Sequence, residues 1–517
     1  MKIKFKSLLL FVSLVQGLIS VPTESKSQDF LVPEITQLEV GSNNITGNPV
    51  NAKRYTFERA VTFVHVDTVR NFMSLHLRKK LKRENTYRLK GHLLQFDLNK
   101  DKIEWYKEID FGKNYIQYHD NVIVRKRPYK LIGTDLYSGE LLWERKNDLV
   151  FVFPEQDVGI GYNMKRLKDA GINLQGFNLN SGELLWERKI PSKRGWREFL
   201  RLDDNTALIS ASGLHAVNQA TGEGWSHEET VGKNKFNFIW GNNNVYNVCS
   251  NILVDSVDHH LYFASSTNIS LYDYEGNIIW SQPLNNDESS KSGLIEKDNS
   301  IILVSLGMTN STPAGNIRYG KASVAKYNKK DGTMLYRTEL DYPKDYIRSA
   351  KMVNAHLFLL YAERMILFDT SDGKVIKEGN PGNDIDKTFR FAYDDRVYLK
   401  TRENEVFSLP KLDSTLAYFK TSKDLKTSKE FVVGVDKNLT CKQIHDGDNI
   451  FIPILNHNSH TFVSNNKQIL IFDQHDNLIS TISGGFNVKV LGDNLYSLNN
   501  NYIDVISLQE LLVSSSN

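Results

Sequence analysis

Leu131–Trp143 reads LIGTDLYSGELLW and Leu174–Trp186 reads LQGFNLNSGELLW, and in both copies the run SGELLWER carries on past the tryptophan. Verbatim repetition on this scale is the mark of a duplicated structural unit. Looser copies follow the same grammar: LLQFDLNKDKIEW ends at Trp105, LHAVNQATGEGW at Trp225 and ISLYDYEGNIIW at Trp280. Further on the tryptophan is lost and the frame persists, in VAKYNKKDGTMLY ending at Tyr336, MILFDTSDGKVI ending at Ile376 and ILIFDQHDNLIS ending at Ser480. VFSLPKLDSTLAYF, Val406–Phe419, is a weaker copy.

Each copy reads as a β-hairpin. In Leu174–Trp186 the first strand carries Leu174, Gly176, Phe177 and Leu179, the turn is Asn180, Ser181 and Gly182, and Leu184, Leu185 and Trp186 begin the return strand. Gly139, Gly182, Gly222, Gly276, Gly332 and Gly373 share one turn slot, where glycine supplies a positive φ and the Asp, Asn or Ser before it bonds the local backbone. The recurring Trp105, Trp143, Trp186, Trp225, Trp280 and the replacement Tyr336 have the size to fill a wedge between adjacent sheets. Successive Trp positions are 38, 43, 39 and 55 residues apart, with 56 more to Tyr336. That is the period of four-stranded propeller blades with loop insertions. The expected fold is all-β, a single β-propeller of eight four-stranded blades, with seven as the alternative. The one stretch with some helical character, Arg70–Leu81, alternates at Met73, Leu75 and Leu77 and is read as strand.

The chain has 517 residues, 40% hydrophobic and 24% charged, with a formal net charge of +3. This is the composition of a globular protein. It lacks the overall positive field of a nucleic-acid binder, and the local basic run at Arg78, Lys79, Lys80, Lys82 and Arg83 has no interleaved aromatics. Residues 1–20 carry Lys2, Lys4 and Lys6, then an apolar stretch from Leu8 to Ile19 that includes Gly17, and end at Ser20. This is the layout of a cleaved secretory signal. The apolar stretch is shorter than the roughly 20 residues needed to span a bilayer, so the mature chain is expected to have no transmembrane segment and to be secreted or periplasmic. Residues 21–54 are expected to form a polar N-terminal arm, 55–512 the propeller and 513–517 a polar tail. A strand in the C-terminal stretch NLYSLNNNYIDVISLQELL is expected to complete a blade with N-terminal strands and close the ring.

The repeat at Asp135, Ser138, Gly139, Glu140 and Trp143, and again at Asn178, Ser181, Gly182, Glu183 and Trp186, resembles the pyrroloquinoline-quinone (PQQ) enzyme-like repeat. The resemblance covers roughly residues 90–480 and is sharpest in the first four or five copies. It implies a quinoprotein-type propeller, a fold that hosts many roles. One branch of the family holds quinone-dependent dehydrogenases. Another holds non-catalytic propellers such as the scaffold lipoprotein of the outer-membrane β-barrel assembly machine, the closest analogue in role. The dehydrogenases often carry adjacent, disulfide-linked cysteines; here the only two, Cys249 and Cys441, are far apart, and there is no haem-attachment Cys-x-x-Cys-His.

Cys249 and Cys441 leave two possibilities, one long-range disulfide or two buried thiols. The pairs His259/His260 and His457/His460 lie in polar segments without metal-ligand spacing. The acidic pairs Asp384/Asp386, Asp394/Asp395 and Asp446/Asp448 read as turn or surface residues. No nucleophile elbow, phosphate loop or dinucleotide fingerprint is present. The expectation is an exported, monomeric, non-enzymatic propeller with no cofactor, holding a protein partner through face loops or a strand edge and binding no nucleic acid. The alternative is an exported enzyme using the central channel, a divergent quinone dehydrogenase or a carbohydrate-active hydrolase or lyase.

Overall fold

The computed structural model describes residues 31–512, apart from 165–171, 229–234, 381–389, 401–405, 409–414, 421–431 and shorter stretches of one to four residues. The repeated unit folds as a hairpin between strands Lys130–Asp135 and Leu141–Arg145. Asp135 Oδ1 accepts the N–H groups of Tyr137 and Ser138 at 3.0 and 2.7 Å, and Gly139 follows with φ +73°. A side-chain oxygen that bonds the backbone two and three residues on pins the turn locally. Two further strands precede each hairpin and complete a four-stranded antiparallel meander.

Among the described residues eight such sheets occur, spanning residues 60–110, 115–145, 151–189, 196–228, 253–283, 292–339, 349–379 and 390–445; they are blades 1 to 8. Their middle strands are buried on both faces, as in Val122–Arg127, whose first four residues are all buried. Fourth strands are open, with only Trp143 buried in Leu141–Arg145.

The cores lie between sheets. Val124 and Leu131 of blade 2 pack with Phe177 and Leu179 of blade 3, and Leu174 and Trp186 of blade 3 with Ala207 and Ile209 of blade 4. The pattern continues through blades 4 and 5, 5 and 6, 6 and 7, and 7 and 8. Sheets that bury both faces against their neighbours, in chain order, make a propeller.

Of the two other sheets, one is the two-stranded hairpin Lys235–Phe238 with Gly241–Asn244, and the other has eleven strands and closes the ring. Strand Pro49–Thr56 pairs with the C-terminal strand Tyr502–Ser507, from Ala52 opposite Ile506 to Thr56 opposite Tyr502. Strand Glu34–Asn43 lies between Pro49–Thr56 and Leu478–Ser483. Gly41 permits that crossing, because a Cβ there would fall 2.0 Å from the Thr481 carbonyl oxygen. Tyr55, Phe57, Tyr496 and Ile503 then pack on Met73 and Leu75 of blade 1.

Two expectations need correction. The segment expected as a polar arm, 21–54, contains strand Glu34–Asn43 and most of Pro49–Thr56, so β-structure begins some twenty residues before position 55. The copy at Val406–Phe419 is not one hairpin: Val406–Ser408 pairs with Tyr398–Lys400 at the edge of the closing sheet, while Thr415–Lys420 belongs to blade 8. Of the two possibilities left open for Cys249 and Cys441, the structure has the two thiols: Cys249 lies beside Ser210 Oγ at 3.3 Å and Cys441 in the core between blades 7 and 8, so the long-range disulfide is not formed. Arg70–Leu81 is covered by strand Phe72–Lys80, as its alternation requires. No helix among the described residues is long and apolar enough to cross a membrane. The signal, the polar tail and the acidic pairs Asp384/Asp386, Asp394/Asp395 and Asp446/Asp448 lie outside the described residues.

Candidate functional site

The repeat residues form one link between blades, made six times. The indole N–H of Trp105 donates to Leu136 O at 3.0 Å, Trp143 to Leu179 O at 2.5 Å and Trp186 to Gln219 O at 2.6 Å. Trp225 reaches Tyr274 O at 2.8 Å and Trp280 reaches Lys329 O at 3.1 Å. Tyr336 does the same with its hydroxyl, 3.1 Å from Thr370 O. Each acceptor lies in the turn of the following blade. The glycine of that turn, in order Gly139, Gly182, Gly222, Gly276, Gly332 and Gly373, sits against the ring with φ between +72° and +86°. A Cβ at any of them would come within 2.5–2.8 Å of a ring atom. The glycine slot thus meets two demands at once, a left-handed backbone and room for an aromatic face. Where no aromatic fills the slot in blade 7, Lys377 extends its ammonium to Asn438 Oδ1 of blade 8 at 3.1 Å.

A bulge precedes this aromatic. Leu142 is skipped between the Leu141–Thr134 and Trp143–Gly133 pairings, and equivalent shifts occur in blades 3, 5 and 6. It leaves an apolar pair facing solvent on the fourth strand of these four blades: Leu141/Leu142, Leu184/Leu185, Ile278/Ile279 and Met334/Leu335 are 43–58% exposed. These strands are the terminal members of their sheets, with one edge unpaired. The sequence reading identified these residues only as the start of the return strand; their exposure follows from the bulge, which no composition signal announces.

First strands converge at the centre of the ring. Arg197 of blade 4 reaches past blade 5 to Ser292 O of blade 6 at 2.9 Å. Phe151 of blade 3 stacks on Phe199 of blade 4 at 3.9 Å, and His65 of blade 1 stacks on Tyr118 of blade 2 at 4.5 Å. Lys489 of the closing sheet lies 4.9 Å from the Phe63 ring. His76 Nε2 is 2.8 Å from the Tyr118 hydroxyl. Burial pushes His119 down to about 4, and burial with the nearby Arg78 charge pushes His76 to about 3, so both imidazoles are neutral near pH 7. Gln117 Oε1 and His119 Nε2, on one face of strand Tyr115–His119, are buried without a hydrogen-bond partner. The described centre is therefore aromatic and cationic.

One group of possible metal ligands occurs among the described residues, Asp255, Asp258 and His260. Asp255 Oδ1 already accepts the Val257 and Asp258 N–H groups at 3.0 and 3.2 Å, and its other oxygen meets the Lys329 ammonium. Lys329 also pairs with Glu296 at 2.6 Å. This is a turn tied to the next blade by an ion pair. His457 and His460 face each other across a hairpin, with His460 Nδ1 2.7 Å from Asn458 O.

No protein-family model matches the chain, and no curated protein matches it. Solved structures similar to it include BamB from Moraxella catarrhalis, 17% identical over 72% of this chain and 97% of that one, with a TM-score of 0.35. The dihydro-heme d1 dehydrogenase NirN is 9% identical over 79% of this chain and 77% of its own, TM-score 0.35. The C-terminal WD40 domain of Sif2 is 10% identical over 68% and 90%, TM-score 0.30.

Proposed function

We propose that this chain is an exported, non-enzymatic propeller that holds a protein partner along the outer rim of its ring. The observation that carries the reading is the repeated rim pair: four blades place two exposed apolar side chains beside an unpaired strand edge, in one register. An open edge offers main-chain hydrogen bonds to an added strand, and flanking apolar side chains provide its affinity. The interblade links suit the role, since a partner spanning several blades needs them at fixed spacing. The test is a photo-crosslinking residue placed at Leu142, Leu185 or Ile279, with Val69 and Val257, exposed in turns, as controls. Discrete adducts from the rim positions alone support the reading; adducts from the turns alone would move the contact to a face.

The second reading, an enzyme using the central channel, draws on the unpartnered Gln117 Oε1 and His119 Nε2 near the centre. Calorimetry with pyrroloquinoline quinone and calcium, beside a dye-linked alcohol and aldose oxidation assay, tests it: saturable binding with turnover would replace the rim reading.

A further inference from the structure

Strand Trp196–Arg201, the first of blade 4, begins with an irregularity. Trp196 pairs with Ala211 and Glu198 with Ser210, so Arg197 is an extra residue left out of the ladder. A bulge re-aims the side chain it carries. Here it sends the guanidinium across the centre, where Nη2 donates to Ser292 O at 2.9 Å, while Nη1 is buried without a hydrogen-bond partner. Ser292 opens the first strand of blade 6, and the residue before it is Lys291.

Lys291 makes no ion pair with a described carboxylate. Burial, with the Arg197 charge second, pushes its ammonium below the ordinary lysine range, and Cys249 opposes this. Glu198, the residue after Arg197, turns its carboxylate to the Ile252 N–H. The Arg197 guanidinium thus bonds the residue next to Lys291, and its charge acts on a partly buried Lys291 ammonium. Like charges in such a place repel unless an anion joins them, and water alone leaves the charge uncompensated.

We propose that Arg197 Nη1 and the Lys291 ammonium form a binding site for a small oxyanion, a phosphate or carboxylate group, at the channel mouth between blades 4 and 6. Guanidinium beside ammonium is the donor set that suits such a group, one directional and one a point charge. The site stands independently of the rim reading, since no rim residue takes part.

The test is titration of the full mature chain with inorganic phosphate and, separately, with acetate, at constant ionic strength made up with chloride, read by calorimetry. Saturable binding of either anion is expected, with the tighter one naming the class. Affinity should fall at least tenfold in K291M and survive in K291R. R197M should lose binding as well, but it also breaks the Ser292 contact, so K291M with an unchanged melting temperature is the deciding variant. As a second readout, the bound anion should slow reductive methylation of Lys291 severalfold. No saturable binding of either anion, or K291M binding as tightly as the parent, overturns the site.

Discussion

The Tyr55 hydroxyl lies 3.1 Å from Asp101 Oδ1 and ties the N-terminal strand Pro49–Thr56 to the last turn of blade 1. Lys53 reaches the same carboxylate at 2.8 Å. Asp101 adopts φ +52° in the turn slot that glycine fills in blades 2 to 7. The ring is therefore closed at the turn that Trp186 reaches in blade 4, with a phenol and a cation bonding a side-chain carboxylate in place of an indole bonding a backbone carbonyl. Closure is the point at which an open chain of blades would expose sheet edges.

The bidentate pair behind that strand sets the strength of closure. Arg54 Nε and Nη2 lie 2.6 and 2.8 Å from the two oxygens of Asp504, which is 1% exposed. Arg54→Ala strands a buried carboxylate and is expected to cost about 3–5 kcal/mol. The double variant R54M/D504L should recover most of it. Denaturant unfolding of the three proteins checks this, and an R54A variant as stable as the parent would mean the ring does not depend on this closure.

Gly222→Ala tests the interblade link. It must hold φ +75° and bring a methyl within 2.6 Å of Trp186 Cδ2. A left-handed penalty of about 1–2 kcal/mol and overpacking of about 1–3 kcal/mol together predict a loss of roughly 2–5 kcal/mol. Gly47, whose φ is +74° with nothing within 4 Å of an added Cβ, isolates the backbone part and should lose only the smaller amount on the same substitution.

Tyr336→Phe removes one hydroxyl and nothing else. The Thr370 carbonyl then loses a donor, and a drop of about 0.5–1.5 kcal/mol is expected. Tyr336→Trp restores an N–H donor in the register used by the other five blades and should lie closer to the parent. Equal melting of all three proteins would show that the hydrogen bond contributes nothing.

Acid should weaken the fold before carboxylates titrate. His76, His119 and His215 are pushed to about 3, about 4 and about 4, burial being the largest cause in each. Their folded values lie below the unfolded value near 6.5. Below that pH the unfolded chain takes up protons that the folded chain refuses, so stability is full above about 6.5 and falls as pH drops toward the folded values. The melting temperature should decline between pH 6.5 and 5, and His119→Phe should flatten part of that decline. A melting temperature constant across this window would contradict the neutral, buried state of these rings.

The parts of the fold that were legible in the sequence are those governed by local rules. A turn needing positive φ and an aromatic that must cover the next turn recur at fixed offsets, so Gly139 to Gly373 and Trp105 to Tyr336 stand out. The pairing of a C-terminal strand with an N-terminal one was legible too, and Ala52 opposite Ile506 bears it out; the insertion of Glu34–Asn43 was not, because Gly41 is required by Thr481, more than four hundred residues away, and nothing near Gly41 signals it. Lys377 and Leu439 hide the last links of the repeat, the first by replacing an aromatic, the second by taking φ +58° in the glycine slot. The centre was least legible. Arg197, Lys291 and Ser292 meet through separate blades, and only the ring brings their first strands together. The rim pairs were visible as letters, yet their exposure depends on a bulge.

The most direct test of the rim as the partner surface is binding by a variant with Leu141, Leu142, Leu184 and Leu185 replaced by serine, measured against the partner trapped by rim crosslinking. These side chains are exposed, so melting should change little, while affinity should fall at least tenfold. Unchanged affinity in a folded variant would contradict the account and place the partner elsewhere on the ring.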